Sequence, residues 1–257
     1  METARGLGAL DPSDVPVFVV VGVFDGLHLG HAYLLRHLVR ESAERGARPL
    51  VITFDHHPDE IITGSAPPLL CDPRERLALL EAAGVAATVV VHFDQELRET
   101  TYDAFVEQIA ARTPIAGFLM TPDAAFGYRR AGTPEALAEL GRQRGFEVVV
   151  VPPFELEGRA VRSTDVRAAI AAGDLGLAAH LLGRAHSVVG HAMADGAGEG
   201  TRLGFELPVA LPPPGTYLVR TGEDGVQRPD RASVDRDAVR LEATPPAPRV
   251  RVAFPPG

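Results

Sequence analysis

Between Val17 and Gly183, short runs of apolar, mostly β-branched residues alternate with segments of helical spacing, and this alternation restricts the fold more than any other feature. Strands are predicted at 17–21, 50–54, 88–93, 117–120 and 146–151, and helices at 32–44, 73–83, 102–111, 134–144, 163–172 and 175–182. The predicted strands are continuously apolar rather than alternating. A strand buried on both faces has that composition, as in a parallel sheet built from βαβ units with helices on either side. Ligands of such sheets bind beyond the carboxyl ends of the strands. Chemistry is therefore expected in the segments 22–31, 54–58, 93–94, 121–127 and 152–154.

The pattern changes near Ala185. Residues 186–257 hold 10 of the 22 prolines and show short β-like runs at 187–189, 216–220, 239–242 and 249–254, with little helical spacing. We expect two domains, an α/β domain over 15–184 and a small β domain over 186–257. The three-proline stretch 243–248 reads as an extended loop. Residues 1–14 mix acidic, small and polar residues with one basic residue, Arg5, and do not read as a signal peptide. The apolar run 15–23 is broken by Pro16 and Gly22 and is too short to span a bilayer.

With 46% hydrophobic and 23% charged residues, the 257-residue chain has the composition of a globular protein with a sizeable core. Its net charge of -9 argues against general nucleic-acid binding. All 25 basic residues are arginine, which excludes a lysine-bearing phosphate loop and any Schiff-base lysine. Phosphate binding must then rest on arginine, histidine, backbone N–H groups or a metal. The single cysteine, Cys71, excludes an internal disulfide and multi-cysteine zinc, and suits a reducing cytoplasm.

The sharpest motif is Gly22-Val23-Phe24-Asp25-Gly26-Leu27-His28-Leu29-Gly30-His31, between the first predicted strand of the alternating region and its helix. Gly22 and Gly26 permit a tight turn, and Gly30 keeps the helix start uncrowded. The helix N-terminus offers free N–H groups and a partial positive charge, a seat for a polyphosphate. His28 and His31, three residues apart, can face that seat from one turn and donate to phosphate oxygens as charge builds. A zinc reading finds no third histidine or acidic residue at suitable local spacing. Near the end of the α/β region, Arg162-Ser163-Thr164-Asp165-Val166-Arg167 places a hydroxyl pair and a guanidinium at a helix start. Alone it reads first as a cap by Ser163 or Thr164. Beside the histidine motif it can present hydroxyls and a guanidinium to the same phosphates. Asp55, His56 and His57 are adjacent in a turn and rarely would aim at one ion, so no protein-held metal is expected.

Together these stretches resemble the bacterial FAD synthetase family, the bifunctional riboflavin kinase/FMN adenylyltransferases. The resemblance is carried by the loop 22–31, by T-F-D-x-H-P at 53–58, by F-D-x-x-L at 93–97 and by A-F-V at 104–106. F-G-x-x-R-A-G at 126–132, S-T-x-x-R at 163–167 and the exit G-D-L…L-L-G-R at 173–184 add to it. It implies a Rossmann-like nucleotidyltransferase domain followed by a shortened β-barrel-like domain. It also implies transfer of AMP from ATP to FMN, giving FAD and pyrophosphate, with Mg²⁺ accompanying ATP. By the family pattern His28, His31, Ser163, Thr164 and Arg167 would act on the phosphates. Gly22, Phe24, Asp25, Gly26 and Gly30 would form the nucleotide loop. Phe54, His57, Pro58, Asp123 and Phe126 would shape the acceptor site.

The chain departs from the family at Thr121 and Ala124, where a glycine and an aromatic are usual, and at Arg162, where the family has a serine. In the second domain the family's L-G-F-P-T-A-N becomes Leu203-Gly204-Phe205-Glu206-Leu207-Pro208-Val209, without the Thr and Asn. No riboflavin kinase activity is therefore expected. Two other readings stay open: nucleotidyl transfer to another flavin or phosphorylated acceptor, and a non-catalytic flavin- or nucleotide-binding protein. A homo-oligomer also stays open.

Overall fold

Strands β1 (Glu2–Arg5), β2 (Val17–Val21), β3 (Arg48–Phe54), β4 (Ala87–Val91), β5 (Ile115–Met120) and β6 (Glu147–Val150) pair in parallel in the computed structural model. Their order in the sheet is β1-β4-β3-β2-β5-β6. The chain steps outward from β2 through β3 to β4, then returns to place β5 on the other side of β2. The two directions part between β2 and β5, and a crevice forms at the carboxyl ends of strands at such a switch point.

Helices connect the strands. These are α1 (Leu29–Glu44), α2 (Pro58–Thr63), α3 (Pro73–Ala82), α4 (Gln95–Glu99), α5 (Tyr102–Ala110) and α6 (Pro134–Arg144). Local chemistry sets their ends. Thr133 caps α6 by accepting from Ala136 N–H at 3.3 Å, and Pro134 occupies the first turn. Asp94 caps α4 by accepting from Leu97 N–H at 2.8 Å. The core of the sheet packs Val19, Leu50, Ile52, Val89, Phe105 and Phe118, all nearly inaccessible to solvent.

A short hairpin, β7 (Glu155–Leu156) and β8 (Arg159–Ala160), precedes α7 (Ser163–Ala171) and α8 (Leu175–Leu182). Six antiparallel strands follow: β9 (His186–Ala194), β10 (Thr201–Gly204), β11 (Gly215–Glu223), β12 (Val226–Val234), β13 (Val239–Leu241) and β14 (Arg249–Phe254). They close a barrel in the order β10-β13-β12-β11-β14-β9. Its interior holds Val188, Leu203, Val219, Val239, Val252 and Phe254. The α/β class and the smaller β domain are thus as expected, and the barrel is closed.

The structure describes residues 1–194, 200–223, 226–236, 238–243 and 247–256; of the extended loop expected at 243–248, residues 244–246 lie outside the described residues. Among the described residues, no helix is long and apolar enough to cross a membrane. The chain divides into two compact units. The sheet unit comprises Met1–Phe24, Gly30–Ala66 and Leu77–Ala160; the barrel unit comprises Asp25–Leu29, Pro67–Arg76 and Val161–Gly257.

Candidate active site

The glycine-rich loop leaves β2 at Gly22 and enters α1 at Leu29. Its backbone is constrained. Phe24 and Leu27 have φ of 52° and 35°, conformations that a side chain disfavours, and they bracket Gly26 at 75°. A Cβ on Gly26 would lie 2.8 Å from the Leu70 Cβ, so only glycine fits there.

Within the barrel unit, Asp25 is the hub of this segment. It is 2% exposed. Its carboxylate accepts from Leu70 N–H at 3.0 Å and Cys71 N–H at 3.3 Å, and pairs with the Arg167 guanidinium at 2.6 Å. Arg167 also donates from Nε to the Pro68 carbonyl at 2.8 Å. Gly26 N–H donates to the Cys71 sulfur at 3.3 Å. Burial, with Asp25 and Glu75 nearby, pushes the Cys71 thiol up to about 12, so this cysteine is a structural acceptor rather than a nucleophile.

His28 immediately precedes α1, and His31 is the third residue of that helix. His28 is buried at 5% exposure. Burial and the positive charge of Arg167 push its pKa down to about 4, with Asp165 opposing and Arg184 adding to the fall. At neutral pH it is therefore an uncharged imidazole. In the sheet unit the His31 ring lies against the buried Phe24 ring, centroids 5.1 Å apart.

Ser163 and Thr164 are the first two residues of α7. The cap expected on one of them falls on Arg162 instead, because the Asp165 carboxylate reaches back to accept from Arg162 N–H at 3.2 Å. Arg167, expected to clasp phosphate, is engaged by Asp25 and the Pro68 carbonyl.

The sheet unit carries a cavity of about 760 Å³ at the carboxyl ends of β2, β3 and β5. Gly22, Phe54, Pro58, Asp123 and Phe126 all line it, together with Val23, Met120, Ala124 and Tyr128–Arg130. Its walls are mainly apolar and aromatic, as small-molecule sites are. Phe126 is fixed between Phe105 and Phe118, at centroid distances of 5.4 and 5.9 Å. Gly127 lets this loop pass close to α5: a Cβ there would sit 2.5 Å from the Tyr102 nitrogen. Asp123 accepts from Thr121 Oγ1 at 2.8 Å, and Arg130 donates to the Asp123 carbonyl at 3.0 Å. Thr121, a departure from the family pattern, thus holds the loop through its side chain. His57 instead caps α2, its Nδ1 accepting from Asp59 N–H at 3.2 Å.

The description "FAD synthetase" belongs to the family model that matches residues 11–165. The chain is a member of the FAD synthetase family. The bifunctional riboflavin kinase/FMN adenylyltransferase of Pseudomonas fluorescens is 31% identical over 245 residues, covering 91% of this chain and 77% of that protein. The Haemophilus influenzae protein of the same description is 33% identical over 207 residues, covering 80% and 67%. A crystal structure of a macrolide-efflux protein from Streptococcus pneumoniae superposes with a TM-score of 0.80 over 98% of this chain and 88% of that one. At 24% identity that likeness speaks for the fold alone. As a FAD synthetase family member, the chain is a nucleotidyltransferase.

Some contributors to the site carry no motif. The Leu70 and Cys71 N–H groups that hold Asp25 are backbone, invisible in side-chain patterns. Asp165 and Arg184 act on His28 only through the fold. His92 meets Asp55 through strand pairing, which the local sequence of the Asp55–His57 turn does not signal.

Proposed function

We propose that this FAD synthetase family member is an FMN adenylyltransferase, transferring AMP from ATP to FMN to give FAD and pyrophosphate. The observation that carries the reading is the aromatic cavity at the switch point of the sheet. Its wall includes Gly22 and Val23, the first residues of the loop that ends in His28 and His31. A flat heteroaromatic acceptor suits the surface of Phe54, Phe126 and Tyr128, and Arg129 and Arg130 on the cavity wall suit its phosphate.

A phosphate oxygen of FMN attacks the α-phosphorus of ATP. The bond from that phosphorus to the bridging oxygen breaks, and pyrophosphate leaves with the electron pair. The nucleophile belongs to the substrate, so the protein supplies alignment and charge stabilisation. His28 and His31 donate N–H groups to the phosphates, as do the free N–H groups at the start of α1. His28 is neutral when empty; an arriving polyphosphate favours its protonated form and strengthens the contact. Ser163 and Thr164 offer hydroxyls from the first turn of α7. Arg167 acts through Asp25, as a positioning residue for the loop.

The donor set in the loop does not suit a resident metal. Asp25 is the only acidic residue in 22–31, and its oxygens are already engaged by two backbone N–H groups and a guanidinium. Mg²⁺ would therefore come as part of the MgATP substrate, where it would supply neutralisation of phosphate charge. The cytoplasm, where ATP is abundant, fits this chemistry.

We also infer that the barrel has no riboflavin kinase activity. The stretch 203–209 lacks the family's Thr and Asn, and Glu206 stands in it as a highly exposed negative charge. Chromatography of pure protein with MgATP tests both points, with FMN and riboflavin as parallel substrates. FAD should form from FMN, and riboflavin should remain unphosphorylated. Preferential turnover of a non-flavin acceptor overturns the first statement; FMN formed from riboflavin at a comparable rate overturns the second.

A further inference from the structure

Parallel pairing of β3 with β4 sets Phe54 opposite Val91, so the two chains leave the sheet side by side as Asp55 and His92. The Asp55 backbone N–H donates to the Val91 carbonyl at 3.1 Å, extending the pairing by one step. His92 Nδ1 lies 2.7 Å from Asp55 Oδ2. His56, next along the first loop, turns its Nδ1 to 3.2 Å from Asp55 Oδ1. The two imidazoles stand edge to face, centroids 5.8 Å apart. One ligand atom from each of the three residues lies within 4.8 Å of the other two.

We propose that Asp55, His56 and His92 bind one divalent first-row transition ion of the zinc class. Two imidazoles and one carboxylate make a donor set that such ions take with open positions for water, whereas Mg²⁺ prefers oxygen ligands alone. Tetrahedral zinc with ligands at about 2 Å needs its donor atoms roughly 3.3 Å apart. The donor atoms lie within 4.8 Å of one another, and rotation of the exposed His92 ring and the half-buried His56 ring brings them to that spacing. Asp55 is already oriented for the task, because its Oδ1 accepts from His56 N–H at 2.7 Å and Phe93 N–H at 3.3 Å. The carboxyl ends of the paired strands β3 and β4 place two of the three ligands, which fixes them better than a loop alone does.

The site also has a connection to the cavity. Asp55 follows Phe54, and His92 precedes Phe93; both phenylalanines line the cavity and meet edge to face at 5.4 Å. An ion bound here ties together the two loops that carry this aromatic wall. The proposal concerns residues outside the nucleotide loop and stands whether or not FMN is the acceptor.

Isothermal titration of the chelator-treated full chain with zinc chloride tests it. One ion per chain should bind, and His92→Ala, His56→Ala and Asp55→Asn should each weaken binding at least tenfold. Millimolar Mg²⁺ should not displace the ion. His37→Ala, on the surface of α1, should leave the affinity unchanged. His92 is exposed, so its substitution leaves the fold intact by circular dichroism, and His92→Gln provides a second variant of similar bulk. Absence of binding, wild-type affinity in the three ligand variants, or an equal loss in His37→Ala overturns the proposal.

Discussion

Breaking the Asp25–Arg167 pair is the perturbation that best separates a structural from a phosphate-binding role for Arg167. The Asp25 side chain is 3% exposed and that of Arg167 13%, so water screens the pair poorly. Arg167→Met leaves a buried carboxylate with the Leu70 and Cys71 N–H groups and the weak Cys71 thiol contact as partners. Removal of one member of such a pair costs about 3–5 kcal/mol, most of it from the stranded charge. Asp25→Asn keeps an oxygen for the backbone donors but strands the guanidinium, at a similar order of cost. The double variant removes both charges, so its loss should be well below the sum, with a coupling of about 2 kcal/mol or more. Urea titration followed by circular dichroism measures all four proteins; at a typical slope of about 2 kcal/mol/M, 3 kcal/mol moves the midpoint by about 1.5 M. FAD formation measured alongside adds a second criterion. If Arg167 acts by holding the loop, Asp25→Asn lowers the rate as severely as Arg167→Met does. Additive stabilities, or an active Asp25→Asn beside an inactive Arg167→Met, refute the reasoning.

Gly26→Ala should destabilise by about 2 kcal/mol or more, since it forces a side chain into a positive φ and against Leu70; an unchanged urea midpoint contradicts the packing described. His28→Ala combined with His31→Ala should slow FAD formation by roughly 10²-fold or more with the fold retained, as read by initial rates and circular dichroism, and an unaltered rate removes the assignment. Acid should destabilise the protein through His28 and His186, each depressed in the fold from the ordinary 6.5 to about 4, chiefly by burial. Their contribution is complete above pH 6.5 and is lost as pH falls toward 4, by up to about 3 kcal/mol for each histidine. His186→Gln should flatten the fall in urea midpoint between pH 6.5 and 4, and an unchanged slope counts against it.

The architecture was legible where burial on two faces writes continuous apolar runs. The strand β2, the helices α6 and α8 and the last barrel strand β14 fall at their predicted bounds. Elements that bury little left no such trace. β1 (Glu-Thr-Ala-Arg) is a four-residue edge strand with only Ala4 buried. β12 carries Pro229 and two arginines, and among its described side chains the buried ones are Ala232 and Val234, on alternate residues. The helix starting at residue 163 was legible but its cap was not. Ser163 and Thr164 are better cap residues than arginine in isolation, and the tie from Asp165 to the Arg162 N–H decides the start. At the candidate site, side chains announced themselves through the spacing of Gly22–His31. Their partners did not, because the Leu70 and Cys71 N–H groups reach Asp25 through contacts distant in sequence, as His92 reaches Asp55.

The barrel's contribution to its own unit follows from those same backbone groups. Pro67–Arg76 runs along the barrel: Leu69 N–H donates to the Pro208 carbonyl at 2.8 Å, and Ala210 N–H returns to the Leu69 carbonyl at 2.8 Å. Two arginines of β14 hold the next turn, Arg249 on Asp72 and Arg251 on Glu75 at 3.2 Å. This strap then presents Leu70 and Cys71 to Asp25 and the Cys71 sulfur to Gly26. A buried aspartate needs fixed donors, since a carboxylate taken out of water is costly wherever its hydrogen bonds are loose. The rigidity of a closed barrel is therefore transmitted through one strap to the conformation of the loop that carries His28. That role needs β14 and the turn after β10, and it does not need the Thr and Asn that the stretch 203–209 lacks. The barrel's hold on the nucleotide loop is thus independent of any phosphate chemistry of its own.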